Sequence, residues 1–181
     1  TVPGGEQHAL EFVKTNIYGT QNVIAAALEN DVSHCLLISS DKAVQAVNLY
    51  GASKFVAEKL FLQANRLSPA PGSASLNGFA GRVSRFSVAR GGNVWNSNGS
   101  VARVWRDQIA IGAPIKVYDR DTTRFHLLMD DWMWFCRRAL NQMGGGEVFV
   151  PKLRAWQLGD LANAFGKEHL HVPARTGDTP P

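Results

Sequence analysis

From Ala9 to Glu29 apolar residues recur at helical spacing, with Phe12, Ile17, Val23, Ile24, Ala27 and Leu28 in one stripe, which predicts an amphipathic helix. "ENDVS" ends it. "SHCLLIS", Ser33 to Ser39, is a short unbroken apolar run, the pattern of a strand buried on both faces of a sheet. Tyr50 to Asn65 returns to helical spacing, with Ala52, Val56, Leu60 and Phe61 on one face. "LSPAPGSASLNG" is rich in Pro, Gly and Ser and reads as a surface loop. Val83 to Arg90 repeats the buried-strand pattern, "GGNVWNSNGS" is a loop, and Val101 to Ile111 is helical. "IKVYD" makes a short strand. "DDWMWFCRRALNQM" makes a helix halted by Gly144 to Gly146, its run Trp132 to Phe135 being helix core. "EVFVPK" is the last strand expected, "QLGDLANAFGKEH" the last helix, and "VPARTGDTPP" a terminal loop. Alternating helix and strand without internal repeat predicts an α/β layer around a parallel sheet.

Composition narrows the classes. An apolar content of 45% and a charged content of 19% over 181 residues suit a globular chain. The longest apolar stretches are too short to span a bilayer. The net charge of +4 is spread without a block of like charges, so neither nucleic acid nor a membrane is expected as partner. Cys35 and Cys136 read as buried free thiols, which fits a reducing, cytoplasmic compartment. His8, His34, His126, His169 and His171 show no ligand spacing, so no metal is expected and they read as solvated or core residues. The chain opens "TVPGGEQHALEF", without Met or a strand, and reads as the interior of a longer protein.

The chemistry gathers in "SSDKAVQAVNLYGASK". In open α/β sheets, ligands bind beyond the C-terminal ends of the strands. Ser40, Asp41 and Lys42 follow one predicted strand there, and Asn93 follows another. Tyr50 and Lys54 are four apart on the next helix and share a face. A phenol near its ordinary pKa of ~10 is a poor base at neutral pH. The Lys54 ammonium and a positively charged nicotinamide are both expected to lower it. Tyr50 then removes a hydroxyl proton while Ser40 holds the same oxygen.

This set resembles the extended short-chain dehydrogenase/reductases. With "RFSVARGGNVWNSNGSV", "TRF" and "GGEVFVPK" in order behind it, the chain looks like the polysaccharide-biosynthesis dehydratases, in the branch of inverting UDP-N-acetylglucosamine 4,6-dehydratases. The resemblance implies a Rossmann-like, doubly wound parallel sheet lacking its N-terminal cofactor-binding half. Residues 1–90 would be the rest of the dinucleotide-binding domain with the catalytic segment, and residues 91–181 mainly a nucleotide-sugar region interleaved with the sheet. It implies an NAD- or NADP-dependent hydro-lyase with a tightly bound, recycled cofactor, serving cell-surface polysaccharide synthesis on a UDP-sugar, with the full-length protein a homo-oligomer. By resemblance Asp41 is the acid and Lys42 the base of water elimination, while Tyr50 and Lys54 serve catalysis and cofactor together. Ser40, Asn93, Val94, Gly99, Ser100 and Arg124 contact substrate, as do Arg175 and Asp178 in "ARTGD". Asn16 supports the active-site helix. Tyr50 stands where larger membrane-bound relatives carry Met, which favours the soluble inverting branch.

The pattern also departs from the family. No Gly-rich turn for a cofactor pyrophosphate is present, so these 181 residues alone are expected to bind NAD or NADP poorly. Gly91 replaces a frequent Tyr and is expected to loosen the cofactor side of its loop, and Arg103 replaces a Pro. Two other readings stay open. A nucleotide-sugar 4-epimerase or reductase would need Tyr50, Lys54 and Ser40 without the Asp-Lys pair, and a truncated remnant would have no activity.

Overall fold

The helical stripe that opens the chain is realised as three consecutive pieces in a computed structural model describing residues 2–68, 83–166 and 169–173. After α1 (Val2–Gln7) come α2 (Ala9–Phe12), a π-helical stretch (Val13–Tyr18) and α3 (Gly19–Glu29). Asn30 and Asp31 end α3, with Asp31 at φ 51°, a conformation that Asp tolerates better than most residues. The chain then enters β1 (His34–Ser40), a 3₁₀ turn (Asp41–Ala43), α4 (Leu49–Gln63), a second 3₁₀ turn (Ala64–Arg66), β2 (Arg85–Gly91), β3 (Asn93–Val94) and α5 (Val101–Ala110). It closes with β4 (Ile115–Val117), β5 (Thr123–Leu127), α6 (Met129–Gln142), β6 (Val148–Phe149), β7 (Ala155–Gln157), α7 (Leu158–Ala164) and β8 (His169–His171). Most of the Pro/Gly/Ser-rich loop and of the terminal loop, including Arg175 and Asp178, lies outside the described residues.

The parallel sheet has the order β1-β2-β6. Its register sets Cys35 beside Phe86 and Leu37 beside Val88. Because strand side chains alternate, these pairs share one face, where they pack against Ile24 and Ala27 of α3 and Phe61 and Ala64 at the end of α4. Leu36 and Ala89 face the other way and meet Trp132, Phe135 and Cys136 of α6. Both faces therefore carry helices, as a doubly wound sheet requires. Among the described residues β1 is an edge strand, and Ile38 is 45% exposed, so the strand is less enclosed than its apolar run predicts. Cys35 and Cys136 are free and half-buried, and burial pushes both thiols up.

Two smaller sheets complete the chain. β3 runs parallel to β5, which pairs antiparallel with β7, and β4 pairs parallel with β8. A third cluster, Trp105, Ile115, Val117, Leu161 and Ala162, joins α5, β4 and α7. β3, β5, β7 and β8 are absent from the sequence reading, β3 lying in the segment read as a loop, and "EVFVPK" is followed by two further strands. The α4 stripe also differs from the periodicity. Val56 is exposed, while Gly51, Ser53, Ala57, Glu58 and Phe61 are buried. Small residues let the helix approach the sheet closely, and Glu58 is buried with an ion partner. In α6 Trp132 is core, but Met133 and Trp134 are each 61% exposed. No helix among the described residues is long and apolar enough to cross a membrane.

Candidate functional site

At the end of β1 Ser39 and Ser40 are buried. Ser40 then caps the 3₁₀ turn, its Oγ accepting from the Lys42 N–H at 3.3 Å and donating to Asp41 Oδ1 at 2.9 Å. The turn folds the Lys42 side chain back, so that Nζ donates to Asp41 Oδ1 at 3.1 Å and to Asn93 Oδ1 at 2.9 Å. Asn93 reaches this point because β2 leaves the sheet through Gly91 and Gly92. A Cβ at Gly92 would stand 2.6 Å from the Phe125 carbonyl oxygen.

The first turn of α4 is pressed onto the same turn. Asn48 caps the helix by accepting from Gly51 N–H at 2.8 Å. A Cβ at Gly51 would lie 2.0 Å from the Lys42 carbonyl oxygen, so only glycine permits this approach. Tyr50, one residue earlier, is thereby brought into a side-chain hydrogen bond with Ser40, and its ring meets Phe12 edge-on at 6.1 Å. From the π-helical stretch Asn16 donates to Ser53 Oγ at 2.9 Å, and Ser53 Oγ donates to the Tyr50 carbonyl at 2.9 Å. Asn16 thus braces the helix that carries Tyr50.

Electrostatics correct one expectation. Tyr50 is raised above the ordinary phenol value, first by burial, with the Ser40 hydrogen bond opposing and the Asp41 charge adding to the rise. The Lys54 ammonium does not produce the expected lowering. Lys54 sits one turn further on, donating Nζ to the Ile38 carbonyl at 3.0 Å. Burial lowers its own pKa, with Glu58 opposing. Glu58 is 1% exposed and binds Arg90 through Oε1–Nε at 2.9 Å and Oε2–Nη2 at 2.6 Å, while accepting from Ser39 Oγ at 2.5 Å. This network ties α4 to the ends of β1 and β2.

The remaining candidates spread outward. Val94 packs into the cluster of Ala89, Leu127 and Trp132. Gly99, at φ 75°, takes the left-handed turn into α5, and Ser100 Oγ beside it is buried without a hydrogen-bond partner among the described residues. Arg124 lies on β5, its Nη1 donating to the Thr123 carbonyl at 2.8 Å. Arg103 bonds Asn98. Gly91 does not loosen its loop. The Trp132 ring lies 3.1 Å from where a Cβ would stand and fills the space.

One residue read as inert belongs here. His126 pairs in register with Asn93 and meets the Trp95 ring edge-on at 5.7 Å. Its Nε2 is buried without a hydrogen-bond partner among the described residues. Burial depresses the imidazole pKa, the charges of Arg124 and Lys42 add to this, and Asp41 opposes. His126 also lines a cavity of about 310 Å³ with Trp95, Leu127, Leu128, Asp131, Trp156 and Leu161. Standing between Phe125 and Leu127, it gives no ligand-spacing signal, because strand β5 is itself unpredicted.

A groove of about 350 Å³ runs beside the open edge of β1, lined among others by Thr15, Asn16, Thr20, Ile38 and Lys54. Its hydroxyl, amide and ammonium groups suit the ribose end of a nicotinamide cofactor. No Gly-rich strand-turn-helix to cradle a pyrophosphate occurs among the described residues, nor does a cluster able to hold a metal ion.

Comparison with known proteins adds to this geometry. The sequence profile of the family described as "Polysaccharide biosynthesis protein" matches residues 1–176. A UDP-N-acetylglucosamine 4,6-dehydratase (inverting) of Campylobacter jejuni is 39% identical over 98% of this chain and 51% of its own length. A protein described as an uncharacterized membrane protein of Methanocaldococcus jannaschii is 37% identical over 92% of this chain and 47% of its own. The chain thus spans about half the length of the curated relatives it matches. Among solved structures, Pen from Bacillus thuringiensis superposes with a TM-score of 0.88 at 30% identity, over 99% of this chain and 55% of that one. DesIV, a dTDP-glucose 4,6-dehydratase from Streptomyces venezuelae solved with NAD and TYD bound, gives 0.82 at 17% identity, over 98% and 59%. At that identity the likeness is one of fold, and it agrees with the Rossmann-like α/β architecture.

Proposed function

The chain belongs to the polysaccharide biosynthesis protein family, and on that footing we propose that it carries the catalytic segment of a nucleotide-sugar 4,6-dehydratase, inverting at C5 and acting on UDP-N-acetylglucosamine. The observation that carries this reading is the position of Lys42. Its Nζ is held between Asp41 Oδ1 and Asn93 Oδ1, beside a Ser40–Tyr50 pair. An oxidation at C4 needs only the Ser40–Tyr50 pair with Lys54, whereas elimination of water across C5 and C6 needs a further base and acid.

The residues divide the work accordingly. Ser40 Oγ orients the C4 hydroxyl, and Tyr50, whose pKa the positive charge of a bound nicotinamide would lower against the rise from burial, takes its proton as the carbonyl forms. Lys54, adjoining the groove at β1, would hold the ribose of a bound cofactor. The redox chemistry, hydride taken from C4 and later given back at C6, is what a nicotinamide cofactor, NAD or NADP, supplies when bound. With a ketone at C4 the C5 proton is acidified. Lys42 removes that proton, and Asp41 protonates the departing C6 hydroxyl. The elimination needs Lys42 as the neutral amine and Asp41 as the carboxylic acid, and their Nζ and Oδ1 stand 3.1 Å apart. Asn93 keeps Lys42 aimed throughout, and Arg124 offers a guanidinium to the diphosphate.

Turnover of UDP-N-acetylglucosamine in deuterated water, followed by NMR, tests this reading. The expected product is a 4-keto-6-deoxy sugar with solvent deuterium at C5 and inverted configuration there. Recovery of a C4-epimerised hexose that keeps its C6 hydroxyl would defeat the dehydratase reading in favour of an epimerase.

A further inference from the structure

A polar nitrogen buried without a partner is uncommon in native proteins and asks for an explanation, a ligand being one. His126 Nε2 is such an atom, and the imidazole is a wall of the 310 Å³ cavity. The edge-on Trp95 ring beside it supplies no acceptor or lone pair in the ring plane. Apart from His126 the cavity has a single charged side chain, Asp131; its other walls are Trp95, Trp156 and three leucines.

Position along the strand says which part of a sugar nucleotide comes here. His126 is level with Asn93, which holds Lys42, so it stands at the reacting ring. Arg124 lies two residues earlier on the same face of β5, about 7 Å away along the strand, where it suits the diphosphate. A substituent on the ring carbon next to the diphosphate linkage falls between them and against the cavity. A plain hydroxyl would leave the indole walls unfilled, and a carboxylate would be repelled by Asp131. A secondary amide fits all of it, with a methyl for the indoles, a carbonyl and an N–H.

Resting on the nucleotide-sugar reading above, the geometry points to His126 as the residue that selects an N-acetylated sugar, Nε2 hydrogen-bonding the C2 acetamido group while its methyl lies against Trp95 and Trp156. Burial and the Lys42 and Arg124 charges keep the imidazole neutral, so it has one donor and one acceptor nitrogen to offer.

NMR of protein carrying isotope-labelled histidine reads this contact directly. The His126 ring resonance, assigned by its loss in His126→Gln, shifts on binding UDP-N-acetylglucosamine. It stays in place with UDP-glucose or UDP at equal occupancy. An equal shift with UDP alone puts the uracil or phosphates in the cavity and overturns the proposal, as does a bound N-acetylated sugar that moves nothing. In turnover, His126→Ala lowers kcat/KM for UDP-N-acetylglucosamine about tenfold and for UDP-glucose less than about twofold, and His126→Gln recovers part of the loss. An equal loss on both substrates overturns the proposal. Binding with the shift but without turnover defeats the dehydratase reading and leaves this inference standing.

Discussion

Two halves of the site are built in different ways. The acid–base half, Ser40 to Lys54, is one continuous segment: strand end, 3₁₀ turn, capped helix. The cavity half draws Trp95 from the loop after β3, His126 from β5, Asp131 from α6 and Trp156 from β7. The first half is held rigidly, by Gly51 against Lys42, by Asn16 through Ser53, and by the buried Glu58–Arg90 pair. The second offers mostly apolar walls and one unpartnered nitrogen. On the function proposed above, chemistry that must be the same for every substrate falls to the braced segment, and selectivity to the place where neighbouring elements converge.

That division is broken most severely by removing the reacting groups. Tyr50→Phe and Lys42→Ala are each expected to lower kcat about a thousandfold, a loss of about 4 kcal/mol in transition-state stabilisation. They should fail differently. Tyr50→Phe blocks the C4 oxidation, so no intermediate accumulates. Lys42→Ala still permits oxidation and stalls before elimination, so quench analysis finds a 4-keto-hexose with its C6 hydroxyl intact. If Lys42→Ala makes normal 6-deoxy product at near wild-type rate, Lys42 is not the base.

Next in size is the brace. Glu58→Ala leaves the Arg90 guanidinium and Ser39 hydroxyl without their buried partner and is expected to cost about 4 kcal/mol in urea unfolding. The double change Glu58→Leu with Arg90→Met should regain much of it, because the fold then no longer buries a lone charge. Gly51→Ala follows, at about 2–3 kcal/mol. The new methyl would sit 2.0 Å from a backbone oxygen, and no side-chain rotation relieves that. Its activity should fall by more than its stability suggests, since the shift separates Tyr50 from Ser40. A Gly51→Ala variant with unchanged urea midpoint and unchanged kcat would show that α4 does not press on the turn.

The sequence made the braced half readable because its information is local. One apolar run, three polar residues after it and a Tyr–Lys pair at helical spacing place Ser40, Asp41, Lys42 and Tyr50 with no long-range knowledge. It hid Glu58, since a buried carboxylate looks like any charged helix residue until Arg90, 32 residues further along the chain, is seen beside it. It also gave Val56 to the buried face, because helical periodicity weighs hydrophobicity, whereas the close approach to the sheet selects small residues such as Ala57 and Gly51. The cavity half was mostly unreadable. β5 and β7 are short, alternate weakly, and exist through pairing with each other and with β3. His126 therefore looked like one of five scattered histidines.

The smallest effect tests the electrostatics that the sequence pattern misjudged. A Tyr–Lys pair at helical spacing suggests that the ammonium tunes the phenol, yet in this structure burial, then Ser40, then Asp41 set Tyr50, while Lys54 is engaged with the Ile38 carbonyl. Tyr50 holds its proton above the ordinary phenol value. As pH rises past that value an unfolded chain ionises this tyrosine before the folded one does. The neutral phenol therefore contributes stability that is present below the ordinary value and fades as pH climbs through the raised one. Phenolate absorbance of the protein, less that of Tyr50→Phe, isolates the titration. Without cofactor, Asp41→Asn should move the midpoint down, because a negative charge facing the phenolate is gone. Lys54→Met should leave it nearly where it was. The opposite ranking, a clear upward move with Lys54→Met and none with Asp41→Asn, would restore the ammonium as the tuning group. It would also mean that the braced half reaches its working electrostatics before any cofactor arrives.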